Sequence, residues 1–419
     1  MHVFIKMIYN LHKKIRTLKI NHVLSLKMRS IDDIITVYND LEDIKMRALP
    51  EYMLAAPTVF AVGDKYNIFV PFSDEVIMWV RVGDRNYYDH CNGIMRSNTN
   101  MHKAELPMSV LDDAEEYTVV YKKMIDRKPY FPTSEPEREF TVRFRPVPQE
   151  GDINIYHIAD AHNLVEEPVM AGRYFGDDIN LLVLNGDIPN HSGDIKNFNA
   201  ICEIAAGVTG GHCPCVFARG NHDTRGIHAE DMPYYIPTMN GKTYYTFKVG
   251  CVWGLLLDCG EDKRDTNDEY GGTICFHLFR EEETDFIKEV IANADREYNA
   301  PDVKHRLVIS HISFFHIDRP PFDIEKELYA EWARLMREYI KPDLLLHGHY
   351  HVVDIVPAGA PFDNQGQPCT AIIGAEPKFA DANRPNAFTG AGIVLSDDGN
   401  KRIIFNNEKG EVIRDELID

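Results

Sequence analysis

Seven residues of the types that hold divalent metal ions, Asp160, His162, Asp187, Asn221, His311, His349 and His351, fall in five short polar clusters. In chain order these are Asp160-Ala161-His162, Gly186-Asp187, Gly220-Asn221-His222-Asp223, a lone His311, and Gly348-His349-Tyr350-His351. The set suits a two-metal centre that cleaves phosphoesters, because ions held about 3.5–4 Å apart need at least one ligand touching both. Asp187 is the candidate bridge, since a carboxylate offers two oxygens and Gly186 lets the chain approach closely. The first ion would take Asp160, His162, Asp187 and His351, and the second Asp187, Asn221, His311 and His349. His349 and His351, two apart, would address the two ions if that segment is extended backbone.

His222 and Asp223 remain beside Asn221, itself also a candidate substrate contact. A hydroxide bridging the ions would attack phosphorus in line, and His222 would give the departing oxygen its proton as general acid. Asp223 would hold the imidazole in orientation. Arg225 would bind a non-bridging phosphate oxygen through its planar fork. A single Asp-x-His or Gly-Asp pair says almost nothing. The ordered set carries the argument. His191, His316 and His347 lie near the clusters and are not expected to be ligands.

Each cluster follows a short apolar run: Ile153–Ala159, Leu181–Leu184, Cys215–Ala218, Leu307–Ile309 and Leu344–Leu346. Rich in β-branched residues and Leu, these runs predict buried strands alternating with helices over Asp194–Ala206, Glu281–Tyr298 and Ile324–Ile340. In an α/β sheet ligands gather at the C-terminal strand ends, so distant clusters can converge on one crevice.

These motifs resemble those of the calcineurin-like metallophosphoesterases, whose pattern D-x-H, G-D, G-N-H-[DE], H, G-H-x-H is present in full across residues 150–355. The resemblance implies a four-layer α/β/β/α sandwich, a binuclear centre of two divalent ions (Mn, Fe or Zn), and hydrolysis of phosphomonoesters or phosphodiesters. Purple acid phosphatases, which the chain resembles distantly, place a metal-bound Tyr where this sequence has Asn190 and lack the equivalent of His162. A purple centre is therefore not expected. Protein phosphatases usually carry Arg-Gly after G-D-x-x-D and Glu where Asp223 stands, which argues against that branch. Gly220-Asn-His-Asp-Thr-Arg-Gly226, Leu257-Asp-Cys-Gly-Glu-Asp-Lys263 and Tyr270-Gly-Gly272 are similar to bacterial phosphoesterases with an N-terminal β-sandwich.

The 419 residues, 44% of them hydrophobic, suffice for two cores. Residues 1–47 read as a basic and then helical segment, the helix spanning Ser30–Arg47. Residues 48–148 read as a small β-sandwich similar to fibronectin type III modules, with strands at Thr58–Val62, Tyr66–Val70, Val76–Val82, Tyr117–Met124 and Glu139–Phe144. Pro146-Val-Pro148 and Gln149-Glu-Gly151 make a natural linker to a catalytic domain over 149–419. Its tail strands Thr370–Gly374, Gly392–Leu395, Arg402–Phe405 and Glu411–Asp415 suggest a second sheet packed on the first.

The formal net charge is −20, although Met1–Arg29 holds seven Lys/Arg and no acids. So acidic a body disfavours long polyanions, and a small or exposed phosphoester is the expected substrate rather than nucleic acid. Eight dispersed cysteines read mostly as buried thiols. No apolar run reaches transmembrane length and no signal peptide is evident, which makes a cytoplasmic location the default. Two competing functions are a catalytically silent binding or scaffold protein and a metal-dependent nuclease. Retention of all seven ligands and the proton donor weighs against the first. Oligomeric state, native metals and the choice between monoester and diester are not legible.

Overall fold

Three adjacent parallel strands carry the first three motifs, and the rest of the large sheet extends them. The computed structural model describes residues 49–378 and 385–418. The basic stretch Met1–Arg29 and the helix expected over Ser30–Arg47 lie outside the described residues.

The N-terminal region forms β1 (Thr58–Val62), β2 (Lys65–Pro71), β3 (Val76–Val82), β4 (Arg85–Tyr88), β5 (Met101–Pro107), α1 (Met108–Ala114), β6 (Glu116–Asp126) and β7 (Arg138–Arg143). The catalytic region opens with β8 (Ile153–Ile158), α2 (Glu166–Gly172), β9 (Leu181–Asn185), α3 (Asn199–Thr209) and β10 (Pro214–Ala218). It continues through β11 (Tyr245–Val249), β12 (Val252–Leu257), α4 (Phe276–Ala292), β13 (His305–Ser310), α5 (Lys326–Leu335), β14 (Leu344–His347), β15 (Asp354–Val356) and β16 (Ala371–Ile373). It ends with β17 (Phe388–Leu395), β18 (Lys401–Asn407) and β19 (Val412–Ile418).

The large sheet runs β19-β18-β17-β8-β9-β10-β1-β2-β5, and the second runs β11-β12-β13-β14-β16-β15. Strands β8, β9, β10 and β1 pair parallel, as do β12, β13, β14 and β16. Alternate residues along each strand serve opposite faces. Val183 joins the core between the sheets while Leu182 and Leu184 pack with Ile201 and Ile204 of α3. Leu344 and Leu346 point into the same inner core, and Leu345 packs with Ile287 of α4 and Trp332 of α5. The result is the four-layer α/β/β/α sandwich that the family resemblance implied.

Two arrangements differ from expectation. The tail strands β17–β19 pair antiparallel onto β8 and extend the large sheet, so of the tail only β16 belongs to the second sheet. Strand texture shows that a segment is extended, but not which edge it joins. The N-terminal strands likewise do not stand apart behind the linker at 146–151. Strand β1 pairs parallel with β10, placing β1, β2 and β5 in the large sheet. The antiparallel sheet β7-β6-β3-β4 then packs against them, sharing Val80, Tyr121, Ile68 and Val183 in one continuous core. Glu51–Asp419 accordingly forms one compact unit. No helix among the described residues is long and apolar enough to cross a membrane.

Candidate metal centre

All five motifs sit where a parallel strand ends: Asp160 after β8, Asp187 after β9, Asn221 after β10, His311 after β13 and His349 after β14. The facing C-terminal edges of the two sheets bring them together. Three groups of side chains each present donor atoms within 4.8 Å of one another: Asp160, His162 and His351; Asp187, His311 and His349; and His162, Asp187 and His222. The first two correspond to the two ions assigned from sequence, and Asp187 lies between them. Its Oδ2 is 3.1 Å from His311 Nε2 and 4.0 Å from His162 Nε2. Asp160 Oδ1 lies 3.3 Å from His351 Nε2, and Asn221 Oδ1 lies 3.0 Å from His349 Nδ1.

The backbone there is strained. Asp160, His162, Asp187, His349 and His351 all have φ between 45° and 70°, which costs on the order of 1 kcal/mol for each such residue. Bonds between the turns hold them. The amide of Asp160 donates to the Gly186 carbonyl (3.0 Å), that of His162 to the Asp187 carbonyl (2.9 Å), and that of His349 to the Asp160 carboxylate (3.0 Å). The two histidines of the last motif thus address separate groups from left-handed turns, not from the extended backbone that their spacing suggested. Close approach also demands glycine. A Cβ on Gly186 would lie 2.6 Å from the His311 ring, and one on Gly220 would lie 2.3 Å from Asp187 Oδ1.

The electrostatics fit divalent ions. Burial pushes His162 and His349 down to about 4, so both present neutral nitrogens near pH 7. Burial also opposes charge on His311, but Asp187 and Asp160 outweigh it and raise that imidazole to about 10. Asp187 is opposed by burial too, and the His311 charge holds its carboxyl well below the usual range. Without ions, a proton on His311 supplies the positive charge that these carboxylates require. The mixed oxygen and imidazole donor set suits divalent metal ions.

Two roles assigned from sequence do not match the geometry. Asp223 does not orient the His222 ring. Its buried Oδ2 accepts from the amides of Gly220 (2.7 Å) and Asp187 (3.2 Å), tying two motif turns together. The ring is held instead by its Nδ1, which donates to the Asn190 carbonyl (2.8 Å). Arg225 does not offer a free fork to phosphate. Its Nε and Nη2 each lie 2.7 Å from the buried Glu261 carboxylate, leaving Nη1 3.4 Å from His222 Nε2. His222 itself lies beside the candidate ligands, its ring centroid 4.7 Å from that of His162.

The residues missed were Glu261 and Asp262. Their signal was present: Val252–Leu257 is a sixth apolar run, followed by Asp258, Glu261 and Asp262, although it carries no metal motif. Asn185 was also missed. Its buried amide donates to the Leu346 carbonyl (3.1 Å) and His157 Nε2 (3.1 Å), joining the ends of β8, β9 and β14. His316 stacks on Phe362, and His347 lies 3.1 Å from the Ser310 carbonyl.

A two-sheet sandwich with paired donor groups at its strand ends defines the class of metal-dependent phosphoester-cleaving folds. The family model of calcineurin-like phosphoesterases matches residues 153–353, from the start of β8 to just past the last motif. Residues 153–353 therefore form a calcineurin-like phosphoesterase domain, and the chain is a phosphoric ester hydrolase. Among solved structures it is similar to the purple acid phosphatase PPD1 from yellow lupin (Lupinus luteus) seeds, at 12% identity and a TM-score of 0.56, over 89% of this chain and 75% of that one. It is also similar to PhoD, at 9% identity and a TM-score of 0.49, over 88% of this chain and 90% of that one. At such identities the likeness to the lupin enzyme shows the fold alone. No curated protein matches the chain.

Proposed function

We propose that the protein hydrolyses a small or exposed phosphoester at two divalent ions, which Asp160, His162, Asp187, Asn221, His311, His349 and His351 would hold, Asp187 contributing to both. The observation that carries this reading is the pair of donor groups, Asp160/His162/His351 and Asp187/His311/His349, meeting at one carboxylate. Asn221, 3.0 Å from His349, completes the second set. When bound, the ions act as Lewis acids toward the phosphoryl oxygens and make water a stronger nucleophile.

The chain's own residues do the rest. Asp160, Asp187 and Asp223 fix the turns through the amides they accept, so the ligands are placed before substrate arrives. His222, anchored through Nδ1 to Asn190, keeps Nε2 directed toward Arg225 and beside His162, where it serves as general acid to the leaving oxygen. Of the N-terminal strands, β1, β2 and β5 extend the catalytic sheet, and the sheet β7-β6-β3-β4 packs against them.

The test is metal content together with hydrolysis of 4-nitrophenyl phosphate and bis(4-nitrophenyl) phosphate, with Mn²⁺ supplied or chelated. Metal-dependent release of nitrophenol from either ester is expected. Metal-loaded protein inactive on both would overturn the reading.

A further inference from the structure

The turn after β12 builds an acidic wall against the metal centre. Glu261 is buried, and its carboxylate accepts from both Nε and Nη2 of Arg225 (2.7 Å each), from the Thr224 hydroxyl (3.1 Å) and from Tyr270 (3.0 Å). Asp262 pairs with Lys263 (3.1 Å), accepts from Tyr270 (3.1 Å), and reaches within 3.9 Å of His349 Nε2. Glu269 lies 3.6 Å from Arg225 and 2.9 Å from Lys263. Within this cluster three carboxylates face two cations. The turn is held firmly, since Arg280 donates to the carbonyls of Cys259 (2.8 Å) and Glu261 (2.5 Å) from a buried position on α4.

We propose that this wall selects phosphodiesters over phosphomonoesters, with Glu261 as the specificity-determining residue because it neutralises Arg225. The inference rests on the dimetal reading above and deepens it. A phosphomonoester carries close to two negative charges near neutral pH and a diester only one. To hold the extra charge a site needs an uncompensated cation. Here the Arg225 guanidinium adjoining His222 is matched by a bidentate carboxylate, and Asp262 adds a further negative charge on the same side. Hydrolysis forms one P–O bond to the water oxygen and breaks one P–O bond to a substituent, whose oxygen leaves with a proton. The product is a monoester, and its added charge favours release from the same wall. A net charge of −20 argues further that the diester is a small molecule rather than a polynucleotide.

The experiment is the ratio of kcat/KM for bis(4-nitrophenyl) phosphate over 4-nitrophenyl phosphate, measured on the Mn²⁺-loaded full chain and on Glu261→Gln and Glu269→Gln. The native ratio is expected to favour the diester by about tenfold or more, the effect of one poorly screened charge. Glu261→Gln frees the Arg225 fork and moves the ratio toward the monoester. Glu269→Gln, on a half-exposed side chain, moves it the same way by less. A native preference for the monoester overturns the inference while leaving the phosphohydrolase reading intact. So does an unchanged ratio in both variants. Hydrolysis of neither ester defeats both readings together.

Discussion

His311 Nε2 stands 3.1 Å from Asp187 Oδ2 with both side chains buried, an ion pair that joins the end of β13 to the end of β9. The pair explains why both sheets must be assembled before the centre exists. Asp187→Asn removes the shared oxygen charge and the partner of His311. Bound metal, counted by elemental analysis, is expected to fall from a full pair to at most one ion, with hydrolysis reduced more than about 100-fold.

Gly186→Ala tests the close approach. The new Cβ would meet the His311 ring at 2.6 Å, at a residue whose φ is +78°. A loss of about 1–3 kcal/mol in urea unfolding is expected, together with weakened metal binding. Unchanged metal affinity would show that the turn tolerates displacement.

His222→Ala separates proton transfer from metal binding. Turnover should fall by about 100-fold or more while both ions remain bound. Because His222 also lies within a donor group with His162 and Asp187, loss of the metals would instead make it a ligand.

Glu283 on α4 supplies a pH test away from the ions. Its Oε1 accepts from the Asp258 amide (2.7 Å), while Oε2 has no hydrogen-bond partner among the described residues. Burial first, and then the charge of Asp258, raise its carboxyl well above the ordinary 4.5. A carboxyl raised on folding contributes stability that is present below its unfolded value and is lost as pH rises through its folded value. Glu283→Gln removes that loss. Relative to the native chain, the variant should therefore be more stable at pH 8 than at pH 5 in matched urea titrations.

Truncation tests the continuity of the large sheet. Residues 149–419 alone would leave the β10 edge bare where β1 normally pairs, and are expected to aggregate. Removing residues 1–29 should leave hydrolysis unchanged, as read by activity per mole of folded protein.

How much was legible depended on whether the information was local. An apolar run followed by a polar cluster is a local signal, and it located all five strand ends to within about two residues. Glycine beside Asp187 was legible as a close approach. The second histidine turn was not, because His349-Tyr350-His351 has the same spacing in an extended strand as in the left-handed turns actually formed. Nor were the partners of Asp223 and Arg225. Glu261 is 36 residues from Arg225, and nothing in either segment alone says that they meet. The strands 58–62 and 388–395 were readable as strands, but their places in one sheet depend on pairing with β10 and β8.

By itself the sequence determined which candidate donor residues occur, their order and the α/β frame, since residue type and strand periodicity are written locally. Only the tertiary structure decided that Asp223 braces turns, that Arg225 is neutralised by Glu261, and that the N-terminal strands complete the catalytic sheet. The physical reason is that each of these depends on a hydrogen-bond partner supplied by a distant segment.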